Sequence, residues 1–139
     1  MKPEQIARID ESWRRLEPRR TRLAESFYAR LFELDPSLKD LFLLVEMESQ
    51  SAKFLSMLNE VLSAVRHPEA FRATLLSSGA RHHGYGVISS HYKVVGEALI
   101  WALEQTTPVP LSEDARRDWI EAYTLMAHVM QKGASTVRP

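Results

Sequence analysis

Ser78-Gly79-Ala80-Arg81-His82-His83-Gly84-Tyr85-Gly86-Val87-Ile88-Ser89-Ser90-His91-Tyr92 is the stretch on which the reading of this chain turns. A helical segment runs into two adjacent histidines, breaks at Gly84 and Gly86, and restarts after Ser89 and Ser90. Glycine ends helices because it reaches left-handed backbone without a Cβ penalty, and serine caps the helix that follows. A side chain on the last turn ahead of such a corner can lean into the space between two helices. An imidazole there is placed to hold something.

Outward from this corner, apolar residues recur three and four apart, and alternating strand-type runs are missing. The spacing predicts an all-α chain. Downstream, Tyr92, Val95, Leu99 and Leu103 line a helix that ends near Thr107-Pro108. Ser112-Glu113-Asp114-Ala115 then reads as an N-cap with an acidic first turn, opening a last helix with Trp119, Tyr123, Met126 and Met130 on one face. Gly133 to Pro139 reads as a frayed tail of a single domain spanning residues 1–139. Upstream, Phe71, Leu75, Leu76 and Ala80 form a weaker helical stripe. Before it His67-Pro68 closes a long helix, capped by Ser49 or Ser51, with Phe54, Met57, Leu58, Val61, Leu62 and Val65 inward. Residues 43–49 read as a connection. Asp35-Pro36-Ser37 predicts a stop and restart, with Asp35 as N-cap and Pro36 as first helical residue of a short turn carrying Leu38, Leu41 and Phe42. Leu23, Phe27, Tyr28, Leu31 and Phe32 mark the second helix; Ile6, Ile9, Trp13 and Leu16 mark the first, which Pro3 opens and Pro18 interrupts.

Composition narrows the function classes. Eighteen basic residues balance eighteen acidic ones, so nothing favours nucleic acid or an anionic membrane as partner. Residues 1–30 hold eight Lys/Arg against five Asp/Glu, and residues 33–60 two against six, a mild asymmetry that reads as a solvated surface. Cysteine is absent, which removes disulfides and thiolate metal sites. The N-terminus lacks a signal-peptide pattern, and no stretch approaches the roughly 20 apolar residues of a membrane span, so a cytoplasmic protein is expected.

The five histidines are His67, His82, His83, His91 and His128. Adjacent helix positions point about 100° apart, so His82 and His83 do not readily share one ion, and multi-histidine zinc is disfavoured. A single axial imidazole on a planar macrocycle needs only one histidine and an apolar slot, for which Phe27, Phe42, Phe54, Leu58, Val87, Val95 and Leu99 are candidates. On periodicity alone, these residues simply pack against one another.

Several motifs in order change that balance. Phe27-Tyr28-x-x-Leu31-Phe32-x-x-x-Pro36-x-x-x-x-Leu41-Phe42, Gln50-x-x-Lys53-Phe54, His82-x-x-x-Gly86-Val87 through His91-Tyr92-x-x-Val95-Gly96, and Trp119-x-x-x-Tyr123 together resemble the bacterial single-domain globins related to the globin domain of flavohaemoglobins. The resemblance spans about Ile6 to Met130 and implies a globin fold, a three-over-three helical sandwich of seven to eight helices. It implies haem b (iron protoporphyrin IX) with His82 as proximal iron ligand. Tyr28 and Gln50 take the distal, ligand-stabilising positions, with a core tyrosine bonded to a backbone carbonyl as the alternative for Tyr28. The pocket would be lined by Phe42, Lys53, Phe54, Leu58, Arg81, Val87, Tyr92, Val95, Leu99 and Met126. Lys53 is a candidate propionate partner, and a solvated lysine is its alternative. His83 would point elsewhere. Tyr92 matches a tyrosine that backs the proximal histidine in the family, but the glutamate completing that network has no counterpart near Ala134.

The function implied is reversible binding of dioxygen, and of other diatomics such as nitric oxide and carbon monoxide, at the open sixth iron position. Neutral donors from Tyr28 and Gln50 would stabilise the partial superoxide character of bound dioxygen. Nitric oxide dioxygenation is the enzymatic alternative; it would need a separate reductase, since 139 residues leave no room for a flavin or nicotinamide domain. A gas or redox sensor and a haem-free binding module are the remaining alternatives.

Overall fold

The computed structural model describes residues 1–136. Six α-helices follow one another: α1 (Pro3–Leu16), α2 (Arg20–Leu34), α3 (Met47–Arg66), α4 (Pro68–Gly84), α5 (Ser89–Thr106) and α6 (Glu113–Ser135). Two 3-10 segments join them: Glu17–Arg19 at the expected interruption by Pro18, and Pro36–Phe42 as the expected short turn, so the α-helices number six where seven to eight were expected. Pro18 lacks the N–H that would continue the bonding of α1, while Pro36, at the first position of its run, gives up no intrahelical bond. No strand occurs among the described residues, and no helix there is long and apolar enough to cross a membrane.

Local chemistry explains most boundaries. The backbone N–H of Lys2 donates to Gln5 Oε1 at 2.8 Å, and Pro3 opens α1. Asp35 Oδ1 accepts from the Ser37 N–H at 3.1 Å, and Ser112 Oγ from the Ala115 N–H at 3.0 Å; both are the expected N-caps. His67 ends α3, and Pro68 begins α4 at once, three residues ahead of Phe71.

Two expectations fail. Helix α3 starts at Met47 with Glu46 as N-cap, not at Ser49 or Ser51; Met47, Glu48 and Gln50 are good helix formers and carry the first turn themselves. Helix α6 continues through Gly133 to Ser135, where a frayed tail was expected, because Gly133 is buried against the backbone of α4. The last three residues of that expected tail lie outside the described residues.

Helix α1 is fastened to α6 by polar bonds around an apolar seam. Asp118 is buried, accepting from Arg8 Nε at 2.6 Å, and Trp119 Nε1 donates to Ser12 Oγ at 2.8 Å. Helix α2 packs on α5 and α4 on α6, while α3 touches α1, α2, α4 and α6. Leu16, Leu23, Leu58, Leu103 and Trp119 are fully buried at the centre. A second, smaller cluster of Val61, Tyr92, Met126, Ala127 and Met130 forms where α3, α5 and α6 meet α4.

Candidate functional site

The corner after α4 closes with two bonds: the Val87 N–H donates to the His82 carbonyl at 3.0 Å, and the Gly86 N–H to the His83 carbonyl at 3.1 Å. Gly86 sits at φ 94°, the left-handed residue this double closure requires. His82 is therefore held at a defined place in the last turn, half-buried, while His83 is exposed.

The ring of His82 is fixed as well. Its Nδ1 lies 2.7 Å from the Ser78 carbonyl oxygen, one turn back, and 3.4 Å from Ser78 Oγ. A carbonyl oxygen only accepts, so Nδ1 carries a proton, and in the neutral ring this is the tautomer that keeps the lone pair on Nε2. Such a bond is how a protein prepares a histidine to ligate through its outer nitrogen. Tyr85 stands edge-on at 6.2 Å between centroids, with most of its own surface exposed.

Tyr28, on α2, is buried among aromatic rings. Its centroid lies 4.9 Å from Phe27, 5.8 Å from Phe42 and 5.8 Å from Phe54. Phe54 stacks on Phe27 at 4.2 Å. The Tyr28 hydroxyl donates to the backbone carbonyl of Gln50 at 3.4 Å, near the outer limit for a hydrogen bond. Tyr28 and Gln50 do come together, but through the Gln50 main chain. Burial pushes the Tyr28 phenol up from its ordinary pKa, against a smaller opposite pull from a hydrogen bond of the Gln50 side chain.

The remaining candidates divide by depth. Leu58, Val95 and Leu99 belong to the main core with the aromatic group, whereas Val87, Tyr92 and Met126 belong to the smaller cluster. Lys53 and Arg81 are exposed and form no ion pair among the described residues. Tyr92 is not the partner of His82: the Ser78 carbonyl takes that place. The Tyr92 hydroxyl is buried with no hydrogen-bond partner among the described residues, while its carbonyl accepts from the Tyr123 hydroxyl. His91 Nδ1 accepts the Ile88 N–H at 3.1 Å and so serves the start of α5. Sequence reasoning missed Ser78 altogether. Its position four residues before His82 was the available signal, since a helical carbonyl can reach a side chain one turn on.

Two hollows lie elsewhere, one of about 480 Å³ among α2, α5 and α6 and one of about 290 Å³ among α3, α4 and α6. Neither is lined by His82, Tyr28 or Gln50. Among the described residues no three His, Cys, Asp or Glu side chains gather as a metal site. Taken one by one, the candidates are an imidazole, a phenol and apolar side chains, residue types that suit a flat cofactor bound through a single axial nitrogen better than a bare ion, and the structure does not bring His82 and Tyr28 into contact.

Comparison with known proteins agrees. The family model described as globin matches residues 25–130. An anaerobic nitrite reductase of Gossypium hirsutum is 29% identical over 86% of this chain and 82% of its own. Neuroglobin-1 of Oncorhynchus mykiss is 27% identical, covering 95% of this chain and 90% of its own. A flavohemoprotein of Chromobacterium violaceum is 30% identical over 78% of this chain, a match spanning only 27% of that longer protein. The crystal structure of ferric Aplysia limacina myoglobin superposes with a TM-score of 0.78 at 17% identity, covering 98% of this chain and 99% of the other. At that identity the likeness supports the fold alone.

Proposed function

The chain belongs to the globin family, and from that premise we propose that it holds haem b through His82 and binds dioxygen and other diatomic ligands reversibly. The observation that carries this reading is the 2.7 Å bond from His82 Nδ1 to the Ser78 carbonyl, which leaves Nε2 free to ligate. Haem bound there supplies an iron with a sixth position for a diatomic ligand. His82 would hold the cofactor from α4. Phe42, Phe54, Leu58, Val87, Val95 and Leu99 would exclude water from its faces. Tyr28 would donate from the opposite side: its present bond, at 3.4 Å, is weak enough to exchange for an anionic acceptor. Burial keeps that phenol protonated and so able to donate. The Gln50 side chain is the second candidate donor. Lys53 and Arg81, exposed and unpaired there, could meet the cofactor's carboxylates.

Nitric oxide dioxygenation is the second reading. It is favoured by the match to a flavohemoprotein, of which this chain corresponds to the smaller part. Turnover would then draw electrons from a separate reductase.

Optical spectra of the haem-reconstituted protein, ferric and reduced, beside His82→Ala, test the proposal. A Soret band that shifts or weakens in the variant is expected. No Soret band in the parent protein, or an identical one in the variant, overturns the assignment. Nitrate formation from nitric oxide in the presence of an added reductase then separates carrier from dioxygenase.

A further inference from the structure

Helices α4 and α6 cross at a point where neither leaves room for a side chain. A Cβ built on Gly79 would stand 1.8 Å from the Met130 carbonyl oxygen, and one on Gly133 would stand 2.0 Å from the Leu76 carbonyl oxygen. Both obstacles are main chain, which cannot swing aside as the end of a flexible side chain can. The contacts are reciprocal: each glycine meets the residue three before the other glycine on its own helix. Residues 76–79 of α4 and 130–133 of α6 are thereby held together at backbone distance. Gly84, in the last turn of the same helix, is the contrast, since a Cβ there would meet nothing within 4 Å.

Ser78 lies inside the clamped stretch, and its carbonyl is the group that receives Nδ1–H of His82. We propose that Gly79 and Gly133 are positioning residues for His82. By pinning the Ser78 carbonyl against α6, the glycine crossing sets the height and rotation of the imidazole and keeps it in the Nδ1–H tautomer. Real Cβ contacts under 3.0 Å essentially do not occur, so a methyl at either glycine must part the helices by about 1 Å or more in this close-packed interior. The Ser78 carbonyl would move with α4, and its bond to the ring would lengthen or break. The consequence at the iron rests on His82 being the haem ligand, but the tie between crossing and ring belongs to the protein alone.

The experiment compares the parent chain, Gly133→Ala and Gly84→Ala, each checked for native helical content by circular dichroism. In the haem-free proteins, nitrogen-15 chemical shifts of the His82 ring should show one Nδ1–H tautomer in the parent and in Gly84→Ala, and a mixture in Gly133→Ala. In the reduced haem-loaded proteins, the iron–imidazole stretching band in resonance Raman spectra should shift and broaden in Gly133→Ala only. Should Gly133→Ala not fold, Gly79→Ala presses the same crossing from the α4 side, and the same changes are expected. A folded Gly133→Ala or Gly79→Ala with the parent's ring shifts overturns the proposal, and so does a parent ring that does not show a single Nδ1–H tautomer. Failure of the parent to take up haem overturns the function proposed above, and the ring shifts still decide this one.

Discussion

Tyr28 and Tyr92 carry buried hydroxyls in opposite situations. Tyr28 donates weakly, over 3.4 Å, to a carbonyl that a better acceptor can replace. If its hydroxyl turns to a bound diatomic ligand, Tyr28→Phe removes one hydrogen bond of about 1 kcal/mol, and dioxygen should leave about five times faster. Flash photolysis or stopped-flow measurement of the off-rate checks this, and an unchanged rate would show that Tyr28 keeps its bond to Gln50. Tyr92 has no partner among the described residues for its buried hydroxyl. An unsatisfied buried polar group costs stability, so Tyr92→Phe should leave the haem-free protein as stable as the parent, or up to about 1 kcal/mol more so. A loss of stability in chemical denaturation would reveal a partner for the hydroxyl. The place of His82 in the last turn before a glycine corner was legible in the sequence because it is a local pattern, whereas its choice over His83 as the ligand rests on the family resemblance. A backbone carbonyl as partner of Tyr28 was one of the two alternatives read there; that it belongs to Gln50 was not legible, because main-chain acceptors have no sequence signature.

At the level of the element, the corner between α4 and α5 depends on backbone that few residues adopt. Gly86 sits at φ 94°, and a Cβ there would come 3.4 Å from Leu41 Cδ2. The added atom is sterically tolerable, so the cost of Gly86→Ala is mainly conformational, about 1–2 kcal/mol. Thermal or urea unfolding measures it; a loss under a few tenths would mean that the corner relaxes out of its double closure. Ser112→Ala should cost about 1 kcal/mol by removing the cap at 3.0 Å from Ala115 N, with the loss concentrated in the first turn of α6 by hydrogen exchange. These local devices explain why the caps at Asp35 and Ser112 and the glycine corner could be read directly. The same local reasoning misjudged the end of α6. A glycine near a helix terminus looks like a stop signal, and only the approach of Leu76 from a distant helix shows that Gly133 is interior. Gly79 hid for the same reason: within a helix a lone glycine reads as mere weakness until the neighbour is known.

Across the whole molecule, the buried phenols couple the fold to alkaline pH. Burial raises the pKa of Tyr28, Tyr92 and Tyr123, the last reinforced by the neighbouring Tyr92 phenol. Unfolded tyrosine titrates near pH 10, so above that the unfolded chain releases protons that the folded chain retains. The unfolded state then binds fewer protons, and stability falls as pH rises. The contribution is whole below about pH 10 and is lost as the pH climbs through the raised values. The three residues sit on α2, α5 and α6, so ionisation attacks both core clusters at once. Lysines titrate in the same range, so the parent's curve alone is ambiguous, and Tyr92→Phe resolves it. That hydroxyl has no partner among the described residues, so its removal subtracts a titration while sparing a hydrogen bond. Urea midpoints of the haem-free proteins between about pH 8 and about pH 11 should fall less steeply in Tyr92→Phe than in the parent. Parallel curves would mean that Tyr92 titrates alike in the folded and unfolded chains. Its hydroxyl would then be reached by water, and the smaller cluster around Val61, Met126 and Met130 would be open to solvent.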